Sequence, residues 1–169
     1  MGLDAVAGAN LVVDGLNVIT TVEVALAGGV LLLGRDGCMR DMASFHGSYR
    51  LVEETERAVE VLVELIDTMQ TESATIYIDQ PVSNSGRLAE MIRRIAASRG
   101  SHLSAVTAHD VDGTLIRSNA IVATADSAIL DHCESWLNLA RAAVEAYEAE
   151  VSPLWLLDLG KAQAPKLPG

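Results

Sequence analysis

What most constrains this chain is where its aspartates fall relative to its short apolar runs. Leu11–Val13 runs into Asp14, Thr75–Ile78 runs into Asp79, and Ala120–Thr124 leads to Asp126 two residues on. His102–Ala108 is a further run of this kind and opens onto the loop His109–Gly113. Short apolar runs bounded by turn residues suit strands buried on both faces. Strands that alternate with helices imply βαβ units, a mostly parallel sheet and right-handed crossovers.

The segments between the runs read as helices. Val52 to Met69 carries apolar Val59, Leu62, Val63, Ile66 and Met69 at helical spacing, with Glu and Arg between them. Leu88, Met91, Ile92 and Ile95 mark a second helix that closes at Gly100. Thr20–Ala27, Ser127–Asp131 and Leu137–Ala149 are three more, with Gly15 breaking the chain after Asp14. Val30–Leu33 is apolar as well, and its period leaves strand and buried loop both open. No repeat or linker divides the chain, so residues 1–169 form a single domain. Within it, the apolar part of the tail from 152 docks, and its last residues, around Pro165 and Pro168, fray.

Half of the 169 residues are apolar and only 4% are aromatic, so the core is built from Val, Leu, Ile, Ala and Met. No apolar stretch approaches the roughly 18 residues of a membrane span. The first ten residues have neither the basic nor the apolar region of a signal peptide. Cys38 and Cys133 stand far apart, which argues against a disulfide framework or zinc site. They suit a reducing, cytoplasmic compartment, both as small buried residues. The net charge of −11 disfavours a surface that holds nucleic acid by charge alone. Metal-dependent nuclease chemistry survives that test, because a bound cation reverses the local field.

In an open parallel sheet, ligands bind beyond the carboxyl ends of the strands. Asp14, Asp79 and Asp126 converge there if their strands are neighbours. Clustered carboxylates repel one another unless protonated or bridged by a cation, and an oxygen-rich set suits Mg²⁺ or Mn²⁺. Such a metal activates water and stabilises charge developing on a phosphodiester. Each acid also has a plainer reading: a turn at Asp14-Gly15, a turn before Pro81 for Asp79, and a helix cap for Asp126.

Other residues carry the same double reading. Asn17 orients a ligand or caps a helix, and Asp131 reaches the site or faces water. Ser83-Asn84-Ser85-Gly86 opens a helix and either holds a phosphate, reinforced by Arg87, or is a cap and turn. Arg35-Asp36-Gly37 forms an ion pair at a turn or supplies a phosphate contact and a further ligand. Glu23 lies on the wet edge of its helix or points into the site. Asp110 and Asp112 flank a turn in water. His46, His102, His109 and His132 lack metal-ligand spacing. The chain has no G-x-G-x-x-G after its first strand, no phosphate-loop lysine motif, no H-E-x-x-H and no G-x-S-x-G. Leu16 stands where a haloacid-dehalogenase-like phosphatase needs a second acid.

Val12-Val13-Asp14-Gly15-Leu16-Asn17-Val18, taken with Val122-Ala123-Thr124-Ala125-Asp126-Ser127, resembles the PIN-like nuclease superfamily, in particular its NYN branch. Those domains pair a first-strand D-x-x-N with a late T/S-x-D, and the resemblance covers roughly Leu11 to Asp131. Asp79-Gln80-Pro81-Val82-Ser83-Asn84-Ser85-Gly86-Arg87 and Gly34-Arg35-Asp36-Gly37 resemble, more narrowly, a prokaryotic PIN-like family of unknown function. Longer members of that family carry an additional N-terminal segment. The resemblance implies that Asp14 and Asp126 are metal ligands and that Asn17 orders the first-strand site. It places further acids before the last of these strands, where this chain has Asp110 and Asp112. Asp79 belongs to the narrower motif.

These readings combine into one set of expectations. The fold is a three-layer α/β/α sandwich, PIN-like or Rossmann-like, with a mostly parallel central sheet of four or five strands. The leading function is a divalent-metal-dependent phosphodiesterase acting on single-stranded RNA ahead of DNA. Asp14, Asp79 and Asp126 are its catalytic acids, and with Asp131 they hold Mg²⁺ or Mn²⁺. Asn17, Arg35, Ser83, Asn84, Ser85 and Arg87 hold the substrate. The rivals are a catalytically inert PIN-like module that binds RNA or protein, and a phosphatase or nucleotide hydrolase using the same metal site. Monomer and homodimer are both open.

Overall fold

The structure, a computed structural model, describes residues 2–42, 49–151 and 153–161. After a 3-10 turn at Leu3–Val6 the elements run in chain order. They are β1 (Asn10–Asp14), α1 (Gly15–Leu26), β2 (Val30–Leu33), β3 (Met39–Asp41), α2 (Thr55–Thr68), β4 (Ser73–Asp79) and α3 (Ser85–Ser98). There follow β5 (Leu103–Ala108), α4 (Val111–Ile116), β6 (Ile121–Ala123), α5 (Ser127–Leu130), β7 (Trp136–Leu137), α6 (Leu139–Ala146) and β8 (Trp155–Asp158).

Five strands form the central sheet in the order β5-β4-β1-β6-β7, and every neighbouring pair is parallel. From β1 in the middle, the chain adds β4 and β5 on one side, then returns to add β6 and β7 on the other. The strand order therefore reverses between β1 and β6, the switch point at which open α/β sheets leave a crevice.

The two-residue period of the strands sorts their side chains to opposite faces. Leu11, Val13, Ile76, Ile78, Ala105 and Ala123 are buried in the main core with residues of α1, α2, α3 and α6. Val12, Tyr77 and Val122 point the other way and pack with Val111, Leu115 and Ile129 of α4 and α5. The molecule is thus a three-layer α/β/α sandwich. Each fully buried Val, Leu or Ile contributes about 1.5–3 kcal/mol relative to exposure.

Several sequence expectations need correction. Helix α1 starts at Gly15, with no loop after β1, and Leu16, Val18 and Ile19 are buried in its first turns. Gly15 is therefore no breaker but a point of close approach. A Cβ there would lie 2.7 Å from the Tyr77 carbonyl oxygen and 2.7 Å from Ile76 Cγ2. The loop after β5 is shorter than its composition suggests, because Asp110 caps α4 by accepting from the Gly113 N–H at 2.9 Å. Trp136–Leu137 is an edge strand, so the last helix begins at Leu139.

Val30–Leu33 is a strand, but of a second sheet that periodicity did not reveal, with order β3-β2-β8. Backbone pairing of Trp155 to Asp158 with β2 docks the tail, while Trp155 and Leu157 remain exposed. Cys38 is buried and Cys133 only half-buried. His46, Pro165 and Pro168 lie outside the described residues. Among the described residues no helix is long and apolar enough to cross a membrane.

Candidate functional site

The strand register brings the acids to one edge and one face. Asp14 lies opposite Tyr77, so Asp79 stands two residues farther along the neighbouring strand. Val13 lies opposite Ala123, which puts Asp14 level with Thr124 across the switch point. Counting by twos from the buried Val13, Ile78 and Ala123, the side chains of Asp14, Asp79 and Thr124 all leave the sheet towards the α4–α5 layer.

Asp14 is 7% exposed and held from two sides. Its Oδ2 accepts from the Thr124 hydroxyl at 2.8 Å, and its Oδ1 accepts a long bond of 3.4 Å from the Asn17 N–H, capping α1. The Asn17 side chain is not a cap. Its Oδ1 accepts from the Ala125 N–H at 2.8 Å, across the switch point. The Thr124 oxygen also accepts from the Asp126 N–H at 3.1 Å, and Asp126 caps α5 by accepting from the Ala128 N–H at 2.8 Å. The D-x-x-N segment of β1–α1 and the T-x-D segment after β6 thus interlock through side chain to backbone bonds.

Burial pushes the Asp14 carboxyl up to about 7, against the opposing pull of its bonds from Thr124 and Asn17. The charges of Asp79 and Asp112 add to the rise. Burial also raises Asp79, helped by Asp112 and Asp110. Asp112 is raised by burial and then by Asp126 and Asp110. Asp14, Asp79, Asp112 and Asp126 therefore form one chain of mutually acting carboxylates, and none of the four has an ion pair among the described residues. Asp110, by contrast, is neutralised by Arg117 at 3.1 Å. The plain reading of Asp112 as a solvated turn residue overlooks this, although the family resemblance points to the loop that carries it. The available signal was a second acid within four residues of a strand's carboxyl end, on the first turn of a helix. Among the described residues, no three His, Cys, Asp or Glu side chains are placed to hold a metal ion together.

The other sequence candidates distribute unevenly. Asp131 is exposed at the C-cap of α5. Arg35 is exposed on the β2–β3 turn, and the ion pair at that turn joins Asp36 to Arg40 instead, at 2.5 Å. The Ser83–Arg87 segment lies on the correct edge, beyond β4, but its polar side chains are engaged internally. Ser83 Oγ accepts from the Tyr49 N–H at 3.0 Å and lies 3.1 Å from the Tyr49 carbonyl, to which Asn84 Nδ2 donates at 2.7 Å. Ser85 Oγ donates to the Gln80 carbonyl at 3.2 Å. Arg87 is exposed. Glu23 is neither wet nor in the site. It is buried between helices, where its Oε1 accepts from the Tyr49 hydroxyl and, at 2.5 Å, from Thr55.

A cleft of about 300 Å³ opens beside the interlock, lined by Asn17, Thr20, Thr21, Arg40, Asp41 and Asp126 among others. Thr20 and Thr21 reach Asp41 Oδ2 at 3.1 and 3.2 Å. Arg40, the basic residue lining it among the described residues, donates through Nε to the Ala125 carbonyl at 2.7 Å. The arrangement combines a buried carboxyl raised to about 7, neighbouring carboxylates that have no ion pair among the described residues, and a polar cleft at the sheet's switch point.

Comparison with known proteins adds a family and no activity. An uncharacterized protein, MJ0935, of Methanocaldococcus jannaschii is 30% identical over 123 residues, covering 73% of this chain and 58% of that protein. The chain therefore matches little more than half the length of this relative. No solved structure matches. A model of a domain of unknown function, DUF5616, matches residues 3–142, so the chain belongs to the DUF5616 family.

Proposed function

We propose that this domain is a divalent-metal-dependent phosphodiesterase of PIN-like type that cuts single-stranded RNA. The observation that carries the reading is the buried Asp14, tied to Thr124 across the switch point and acted on by Asp79 and Asp112, with no ion pair to any of the three among the described residues. A set of acids without a protein counter-charge suits a hard cation. Mg²⁺ keeps several waters and binds through one or two carboxylates plus substrate phosphates. That stoichiometry fits a site in which three protein ligands do not meet at one point. Asp14 and Asp79 would hold the ion, with Asp112 and Asp126 beside them. The bound metal would supply an activated water and neutralise charge on the phosphodiester.

The chain's own residues have separable duties. Thr124 and Asn17 hold the Asp14 carboxyl in place, and their bonds favour its ionised form. Asn17 also holds the backbone that carries Asp126. The cleft that Asn17, Thr20 and Thr21 line gives the substrate backbone a polar approach.

The second reading is a PIN-like module that binds RNA or protein without cutting. It is favoured by the net charge of −11 and by the lack of a three-ligand set among the described residues. Labelled single-stranded RNA incubated with Mn²⁺ or Mg²⁺ separates the two. Cleavage by wild type that is lost in Asp14→Asn is the expected result. Absence of cleavage by wild type, or equal cleavage by both proteins, removes the enzyme reading. Turnover of a generic phosphomonoester with RNA left intact would make the site a phosphatase or nucleotide hydrolase.

A further inference from the structure

Arg40 belongs to neither sequence motif and comes from the small sheet, yet it reaches the segment that carries Asp126. The backbone of Ala125 is gripped on both sides, through the two peptide groups that flank it. Asn17 Oδ1 takes its N–H at 2.8 Å, and Arg40 Nε donates to its carbonyl at 2.7 Å. Arg40 is itself oriented: Nη1 and Nη2 meet Asp36 Oδ1 and Oδ2 at 3.0 and 2.5 Å, a two-point fork. Asp36 is braced in turn by accepting from the Cys38 N–H at 3.0 Å. A planar guanidinium held by a bidentate carboxylate leaves little freedom at Nε. The Arg40 contact spans 85 residues of sequence, and Asp126 caps a helix of only four residues, which cannot hold its own start rigidly.

We infer that Arg40, oriented by Asp36, is a positioning residue for Asp126. It clamps the Ala125 backbone so that Thr124 and Asp126 keep their places beside Asp14. The small sheet is then a buttress for the site. This rests on the proposed metal chemistry for its functional consequence, but the clamp itself exists without metal or substrate.

The test uses the full chain and three variants: Arg40→Ala, Asp126→Ala and the double variant. Amide hydrogen exchange at Asp126, whose N–H shares a peptide with the Ala125 carbonyl that Arg40 holds, and at Ala125 reads opening of the clamped backbone and needs no ligand. In Arg40→Ala it is expected to accelerate about tenfold or more, since loss of one charged hydrogen bond shifts local opening on that scale. Mn²⁺ affinity, followed by titration calorimetry, reads the functional consequence. It is expected to fall severalfold in Arg40→Ala and to show no further loss when Arg40→Ala is added to Asp126→Ala, because Arg40 acts only through that acid. If RNA is cut, kcat falls in Arg40→Ala while KM stays within about twofold, the sign of lost positioning rather than lost substrate binding. Unchanged exchange at both Ala125 and Asp126 in Arg40→Ala overturns the clamp. An equal loss of Mn²⁺ affinity in the Asp126→Ala background overturns its action through Asp126. A wild type that binds no Mn²⁺ would remove the metal chemistry, and with it the positioning role, and leave the clamp to the exchange measurement.

Discussion

The hydroxyl of Thr124 donates to Asp14 Oδ2 at 2.8 Å, joining two positions 110 residues apart in the chain. This bond closes the switch point between β1 and β6 and holds the Asp14 carboxyl almost out of water. Thr124→Val keeps the shape and removes the donor. Without that donor the ionised form of Asp14 loses support, so its pKa should rise above about 7. Stability at pH 8 should drop by about 1–3 kcal/mol, the range for stranding one partner of a buried hydrogen bond. Carbon-detected NMR titration of the Asp14 carboxyl checks the first expectation. An unmoved or lowered pKa would show that the bond does not support the anion.

The same carboxyl makes the fold's stability depend on pH in a defined direction. Its pKa rises from 3.8 in the unfolded chain to about 7 in the native one. Between these values the native state holds a proton that the unfolded state has released. Stability is therefore fully present below about pH 4, declines as pH rises towards 7, and is lowest above it. Asp79 and Asp112 are raised too and act with the same sign. Each tenfold difference in proton affinity between the two states is worth about 1.4 kcal/mol, so Asp14 accounts for a few kcal/mol. Asp14→Asn should flatten the slope and be more stable than wild type at pH 8. Urea unfolding across pH 4.5 to 8 measures both, and parallel curves for the two proteins would refute the assignment. Mn²⁺ should raise the melting temperature more at pH 8 than at pH 5, since it competes with the proton for the same oxygens.

A second buried carboxylate carries a different prediction. Glu23 accepts from Tyr49 and Thr55, and the Tyr49 backbone is gripped by Ser83 and Asn84. Tyr49→Phe should cost about 1–3 kcal/mol of stability. Ser83→Ala and Asn84→Ala should also lower the melting temperature while leaving KM for RNA near the wild-type value. A raised KM in Ser83→Ala or Asn84→Ala with unchanged melting behaviour would restore these side chains to substrate binding.

The alternation of apolar runs and amphipathic helices was enough to determine the layered, parallel α/β architecture. Covering Leu11–Val13 and Ala74–Ile78 on both faces leaves few other solutions. The acids at strand ends were legible for the same reason, since a run buried on both faces gives way to charge where the chain leaves the core. Local pattern could not show which acids act on one another. Asp112 joins the group only because α4 lies against β1 and β4, and Asp131 stays apart because α5 carries it outward. Nor could it show the β3-β2-β8 sheet, whose strands are only three or four residues long and whose third strand, β8, lies most of the chain away from the other two. Arg40 had no local signature. Its role depends on where the small sheet sets its guanidinium, and hydrogen bonds over 85 residues are properties of the packed fold, not of neighbouring letters.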